Sequence, residues 1–364
     1  MNANRYSIEI VSLTRVFGGG EIYIDRLLQL LGNRFMFSVV SPRLTQLQAS
    51  LGKRHIEAAW LSAASAWRAH LGLAGHWLRH IFRRSRPSAV LLNGRGAAYW
   101  APAYKLIRIP VVIVRHTELR GGLGERAYEL CARSADRIVA VSRVVAAQHP
   151  PPLASKVQVI ANWLSFPKAD ACLSTKSPRP LTLMFIGRLV PEKGLRTAVT
   201  AVQASDGARL DVYGEGPLED WLREICESDS RLRWHGFVAD MRAPLAAPGV
   251  LVQASESEAF SLTVAEAVSA GHLAIVSDIC SHREILPPQY PESLFFKPGD
   301  DQSLRAAIRS VQQTLEHEPD ILEQAWTYAA QHVGSLTDSS QALEAYSQLF
   351  IRLCQRTQHT ASTP

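Results

Sequence analysis

The sequence predicts an α/β protein of two doubly wound, parallel-sheet domains, and three observations carry that expectation. Short apolar runs alternate with helix-period segments through the first half; a polar, proline-bearing stretch interrupts them; the alternation then restarts. A chain of 364 residues is large for one domain and comfortable as two. With 47% hydrophobic and 20% charged residues it can fill two cores, which excludes global disorder.

In the first half, strands are expected at Ser7–Ser12, Phe35–Val40, Ala89–Leu92, Val111–Val114, Arg137–Val141 and Val157–Ile160. Between them, Glu21–Leu31 repeats Ile22, Ile24, Leu27, Leu28 and Leu31 at helical spacing, and Gly124–Ser134 does so less clearly. Phe166–Pro180 reads as a linker. Strands resume at Leu181–Ile186, Arg209–Tyr213, Leu232–Gly236, Val250–Gln253, Leu273–Val276 and Leu294–Phe296. Helices are expected at Gly194–Gln203, Leu218–Cys226, Ser261–Ala270 and Gln302–Leu315, and the tail Ile321–Leu353 holds two or more. This pattern predicts domains at 1–168 and 169–337 facing each other across a cleft. Residues 338–364 form a terminal helix able to cross back to the first domain, with a loose tail. Ligands of such sheets sit beyond the C-terminal strand ends, so the cleft is the expected site.

Charge separates the halves. Residues 1–175 hold 23 Lys or Arg against 9 Asp or Glu, a net of +14, while residues 176–364 hold 16 against 24, a net of −8. A one-signed field in the first half favours an anionic partner. No apolar run reaches 18 residues and no basic-then-apolar leader is visible, so a cytoplasmic protein is expected. Five scattered cysteines without a CxxC or Cys/His cluster point to a reducing compartment and no structural zinc.

Several constellations carry chemistry. Gly18-Gly19-Gly20-Glu21 follows the first strand and opens the first helix, where free N–H groups favour an anion and glycines permit close approach. It is not GxGxxG, and no ribose-binding acid follows the second strand, so a nicotinamide site is poorly supported. Gly187-Arg188-Leu189-Val190-Pro191-Glu192-Lys193-Gly194 occupies the matching place in the second half. Cations at a helix start oppose its dipole, so Arg188 and Lys193 suggest a compensating anion such as a diphosphate; two solvated surface cations are the plain alternative. Gly214 and Gly216 keep the rim open after the next strand.

Glu258 is expected in a loop and Glu266 within the following helix, with Ser261 as its N-cap. Continuous helix would separate the two acids by about 12 Å. That is too far for both to act on one glycosidic bond and suits two contacts along an extended ligand. Glu266 interrupts an apolar helix, so it needs a partner, either ligand hydroxyls or a protein arginine. His116 leaves a buried strand toward the cleft, beside Arg115 and Arg120.

Residues 66–86 are a candidate partner surface. Trp67, Leu71, Trp77, Leu78, Ile81 and Phe82 recur at helical spacing among Arg68, Arg79, Arg83, Arg84 and Arg86, which suits an anionic membrane interface. The same stripe would also serve a helix packed on the sheet. No helix-turn-helix, zinc-finger or RNP pattern supports nucleic acid binding.

Taken together, these motifs resemble the retaining glycosyltransferases of family 4, of surface-polysaccharide type. The resemblance implies the GT-B fold, in which two Rossmann-like domains face across a cleft. It runs in order through Gly18–Glu21, His116, Ala135–Ser142, Val159-Ile160-Ala161-Asn162, Phe185–Gly194 and the E-x7-E pair Glu258 and Glu266. Two positions depart from the family pattern: Trp163 replaces a glycine, and Cys280-Ser281-His282-Arg283-Glu284 replaces a Gly-Gly pair before an acid.

The resemblance implies a nucleotide-diphospho-sugar co-substrate, with no cofactor and no bound metal. His116, Arg188, Lys193 and Glu258 would be catalytic, while Gly19, Gly20, Gly187, Gly214, Glu266, Ser281 and His282 would bind the donor. The acceptor or membrane surface would comprise Arg68, Trp77, Arg79, Arg83, Arg84, Arg86, Arg115 and Arg120. The expected activity is hexosyl transfer from a UDP- or GDP-sugar to a glycan acceptor, lipid-linked or lipopolysaccharide, at the inner face of the bacterial cytoplasmic membrane. A sugar-nucleotide epimerase of the same fold and a non-catalytic nucleotide-sugar-binding subunit are the alternatives.

Overall fold

A computed structural model describes residues 6–14, 19–62, 64–82, 86–119, 121–164, 168–176, 180–238 and 240–361. The chain divides into two compact units, Met1–Asn162 joined by Ser339–Pro364, and Trp163–Asp338.

The first unit begins β1 (Ser7–Ser12), α1 (Gly19–Leu31), β2 (Met36–Pro42), α2 (Thr45–Lys53), β3 (Glu57–Leu61) and α3 (Ala66–Phe82). It continues β4 (Ala89–Asn93), α4 (Gly94–Ala98), α5 (Ala101–Leu106), β5 (Val111–Arg115) and α6 (Leu123–Ala132). After β6 (Arg137–Ala140) come α7 (Arg143–Ala147), α8 (Pro151–Ala154) and β7 (Val157–Val159). All seven strands pair in parallel, in the order β3-β2-β1-β4-β5-β6-β7. β4 and β5 are buried along their whole length, because helices cover both faces of a parallel sheet, and their sequences are accordingly near-continuous apolar runs.

The second unit holds β8 (Leu181–Ile186), α9 (Leu195–Gln203), β9 (Ala208–Tyr213), α10 (Glu219–Ser228), β10 (Leu232–Trp234) and β11 (Val250–Gln253). It closes with α11 (Leu262–Ser269), β12 (Ala274–Ser277), α12 (Cys280–Ile285), β13 (Phe295–Phe296), α13 (Asp301–His317) and α14 (Pro319–Leu336). Its six parallel strands run β10-β9-β8-β11-β12-β13. Trp163, at the start of this unit, is buried and packs in it. The last helix, α15 (Ser339–Ala361), belongs to the first unit: Phe350 stacks edge-on against Phe35 at 5.5 Å, and Tyr346 meets Tyr23 of α1.

The sequence reading lacks β3. Its residues Glu-Ala-Ala-Trp-Leu have little β-branched character, and its place at the sheet edge rests on pairing with β2 from Ser38↔Glu57 to Pro42↔Leu61. Among the described residues no helix is long and apolar enough to cross a membrane.

Candidate functional site

In the second unit, three loops at C-terminal strand ends are locked together by glycines. Gly214, at φ +139° after β9, lies so close to β8's following residue that an added Cβ would stand 1.9 Å from the Gly187 carbonyl oxygen. Gly194, at φ +70°, would place a Cβ 2.1 Å from the carbonyl oxygen of Ala254, just past β11. Only glycine fits at either point. The Glu256 amide also donates to the Glu192 carbonyl at 2.9 Å, fixing the Pro191–Lys193 turn against the loop after β11.

That fixation brings Lys193 and Glu258 together. The Lys193 ammonium donates to Glu258 Oε1, which also accepts from Ser255 Oγ at 2.8 Å and Gln253 Nε2 at 3.0 Å. Burial opposes ionisation of Glu258, yet the charge and hydrogen bonds of Lys193, with Ser255, hold its carboxyl below the usual range. The anion that compensates Lys193 is thus a protein carboxylate. Arg188 is exposed and has no ion-pair partner among the described residues.

Ser261 precedes α11 in the left-handed region, φ +64°, and makes no side-chain cap; its hydroxyl lies 3.1 Å from His282 Nε2. The His282 Nδ1–H donates to the Ser277 carbonyl at 2.7 Å, leaving Nε2 to accept from Ser261. Burial is the main cause that lowers the His282 pKa to about 4. One expectation is corrected here: Ser261 is not an N-cap through its side chain. Both nitrogens of the His282 ring are engaged inside the protein. Ser281 is buried with a hydroxyl lacking a hydrogen-bond partner, and Glu266 is buried and engaged on α11.

In the first unit, His116 follows β5. Its Nε2–H donates to Asn93 Oδ1 at 2.7 Å, and Asn93 Nδ2 donates to the Gly20 carbonyl at 3.2 Å. One chain of contacts therefore links the glycine turn, the end of β4 and His116. Burial first, and the Arg115 charge second, bring His116 down to about 3, so the ring is neutral at ordinary pH with Nδ1 as its acceptor. Gly19 and Gly20 open α1, while Gly18 lies outside the described residues. Glu21 turns inward and accepts from Ser12 Oγ at 3.1 Å.

The surface basic residues divide. Arg115 is corrected: it is fully buried, pairs with Glu125 at 2.8 Å and lies over the Tyr128 ring at 4.7 Å, so it cannot reach an acceptor or a membrane. Trp77 is half-buried, its indole donating to the Ala103 carbonyl at 3.0 Å against the core. Arg86 donates to the His80 carbonyl at 2.8 Å and to Ile81 and Ile107, a C-terminal cap of α3. Arg68 and Arg79 are exposed, while Arg83, Arg84 and Arg120 lie outside the described residues.

Helix α3 uses both of the faces its sequence suggests. Ala69, Leu73 and His80 are buried, whereas Trp67, Leu71, Leu78 and Phe82 are exposed along the opposite side, Phe82 by 85%. Sequence reasoning missed Asn93, Ser255, Gln253, Tyr23 and Ser277. The signal available for Asn93, Gln253 and Ser277 is a single polar residue ending an apolar strand.

Residues 17–165 match the "Glycosyltransferase Family 4" model and residues 180–314 match "Glycosyl transferases group 1". Glycogen synthase of Mycobacterium tuberculosis is 29% identical over 167 residues, covering 43% of this chain and 40% of that protein. The lipopolysaccharide core biosynthesis glycosyltransferase LpsE of Rhizobium meliloti is 25% identical over 214 residues, 53% of this chain and 56% of its own. The chain thus spans about half the length of the curated relatives it matches. Anabaena HepE, solved with UDP and glucose, superposes with a TM-score of 0.80 at 16% identity, covering 96% of this chain and all of that one. WaaG, a glycosyltransferase of lipopolysaccharide biosynthesis, superposes at 0.66 with 14% identity, covering 94% and 99%.

Proposed function

We propose that the chain is a glycosyltransferase of GT-B fold that moves a hexose-type sugar, with retention, from a nucleotide-diphospho-sugar to a glycan acceptor. The observation that carries this reading is the Lys193–Glu258 pair, oriented by Ser255 and Gln253 on loops that glycines hold rigid. A donor diphosphate would meet Lys193 and exposed Arg188, whose cations offset the charge growing on it as it departs. Stabilisation of this kind is worth about 2.7–4 kcal/mol per preorganised donor. Glu258, kept ionised, would accept from a sugar hydroxyl, and Glu266 would face the ribose.

In the proposed step, the bond from the anomeric carbon to the diphosphate oxygen breaks. The acceptor oxygen bonds to the same face, and its proton passes to the leaving phosphate. No metal is needed in that scheme, because the protein's cations serve the phosphates. Neutral His116 would accept a hydrogen bond from a sugar hydroxyl at Nδ1. UDP-hexoses lead GDP-hexoses as donors, since HepE, which shares the fold, was solved with UDP and glucose.

The acceptor belongs to a membrane-borne glycan, lipid-linked or lipopolysaccharide, in cell-surface polysaccharide synthesis. The net of +14 in residues 1–175 and the exposed apolar side of α3 support a peripheral position on the anionic inner leaflet. The similarity to LpsE, a lipopolysaccharide core enzyme, agrees with that class. A panel of UDP-, GDP- and ADP-hexoses, read by thermal unfolding and by release of nucleotide diphosphate, tests the reading. One donor should raise Tm and yield diphosphate only with acceptor lipid. No stabilisation by any donor would overturn it.

A further inference from the structure

The first unit holds a buried cluster that the transfer chemistry does not use. Glu9 points from the middle of β1 toward α3 and α5. Its Oε2 lies 2.8 Å from His76 Nε2 and 3.2 Å from His80 Nε2, and Tyr104 Oη donates to Oε1 at 2.8 Å. His76 and His80 stand one turn apart on α3, so their rings project from one face, 4.9 Å between centroids. The sequence gives no hint of this cluster, because Glu9 lies 67 positions before His76 and only the pairing of α3 with the sheet joins them.

We propose that Glu9, His76 and His80 bind a zinc-class divalent cation that staples α3 to β1. Three arguments converge. The donor set, two imidazoles and a carboxylate, is the set that suits such a cation. One ligand atom from each residue lies within 4.8 Å of the others. The two Nε2–Oε2 separations, 2.8 and 3.2 Å, come close to the edge of about 3.3 Å that a tetrahedral ion with bonds of about 2.0 Å requires. Small ring rotations would complete the geometry.

The second argument concerns the rings themselves. Both Nδ1 atoms are buried without a hydrogen-bond partner, so each imidazole is engaged only toward the point it shares with Glu9. Both rings therefore converge on one point, the place a shared ion would occupy. The third argument is support and access. Tyr104 supplies the hydrogen bond that orients a ligating carboxylate. The His76 side chain, 14% exposed against 6% for His80, provides the route by which an ion enters and the side on which water takes the fourth position. On binding, each neutral imidazole would ligate through Nε2 with its one ring proton carried on Nδ1, and the ion would take the place of the Nε2 contacts to Glu9. The ion takes no part in sugar transfer, so the inference stands or falls independently of the proposed activity.

The test uses the wild-type full chain, stripped with chelator, dialysed and titrated with Co²⁺. The expected result is visible d–d absorption saturating at one equivalent, lost when Zn²⁺ is added, with a Zn²⁺-induced rise in Tm of at least about 3 °C at hundredfold excess over the dissociation constant. His76→Asn, at the solvent edge of the cluster, should keep the fold by circular dichroism and lose both signals. Absence of cobalt bands and of a Tm shift in wild type would overturn the proposal. Bands that persist undiminished in folded His76→Asn would place the metal elsewhere and overturn it equally.

Discussion

Tyr23 stands edge-on to His116, ring centroids 4.4 Å apart with planes inclined by 70°, and its hydroxyl pairs with that of Tyr346 on α15. The wall beside His116 is thus braced by the last helix of the chain. That enclosure keeps the imidazole neutral, with its pKa near 3. An imidazole depressed below its unfolded value of about 6.5 gives stability that is complete above pH 6.5 and is lost as pH falls toward 3, because the unfolded chain takes up the proton first. His282 acts in the same direction down to about 4, with a slope no steeper than about 1.4 kcal/mol per pH unit.

The first prediction follows from that brace. Tyr23→Ala should admit water and move the His116 titration up toward 6.5, read by NMR of the ring protons, and should slow transfer at least about tenfold. Tyr23→Phe keeps the edge contact, so His116 should stay depressed while stability falls by about 1 kcal/mol through the lost hydroxyl pair. A wild-type His116 titrating near 6.5 would contradict the enclosure argument.

The Lys193–Glu258 pair yields the second. Lys193→Ala leaves a mostly buried carboxylate without its cation, which should cost about 2–3 kcal/mol of stability and about 10²–10³ in transfer rate. Adding Glu258→Gln removes the stranded charge. The double variant should therefore recover most of the lost Tm, while activity stays low. Recovery of activity together with Tm would show that Lys193 acts on Glu258 alone and not on the phosphates.

A pair of glycines gives the third. Gly214→Ala forces a Cβ to within 1.9 Å of the Gly187 carbonyl oxygen at a positive φ, so it should lose several kcal/mol or fail to fold. Gly187→Ala meets nothing within 4 Å and should leave Tm within about 1 °C. If Gly187→Ala still weakens donor binding, measured by calorimetry, the missing Cβ is needed by the ligand and not by the fold.

How far the sequence foretells this molecule depends on how local the signal is. β4, β5 and β8 are legible because both faces are covered and their residues are apolar but for Asn93, Arg115 and Thr182. β3 is not, since an edge strand of Glu-Ala-Ala-Trp-Leu owes its place to its neighbour β2. Lys193, Glu258 and Gly194 are legible as a spaced pattern after strands, but the Lys193–Glu258 contact spans 65 positions. Asn93 and Ser255 are single polar residues with no spacing to announce them. Arg115 misleads because its charge suggests surface, whereas Glu125 and Tyr128 bury it completely.

The last prediction separates the two faces of α3. Leu73 is fully buried against the core, so Leu73→Ala should cost about 2–5 kcal/mol and act through folding. Leu71 and Phe82 lie on the other side, 60% and 85% exposed, where removing them costs the fold little. A Leu71→Asp/Phe82→Asp variant should therefore keep its Tm within about 2 °C. Two acidic groups in place of two apolar ones both remove buried area at a lipid interface and repel an anionic headgroup layer. Co-sedimentation with phosphatidylglycerol vesicles should fall at least about tenfold, and the wild-type binding should weaken as salt rises. Equal sedimentation of the variant and wild type at low salt would show that this side of α3 meets no membrane, and the acceptor would then have to be soluble or held by another surface.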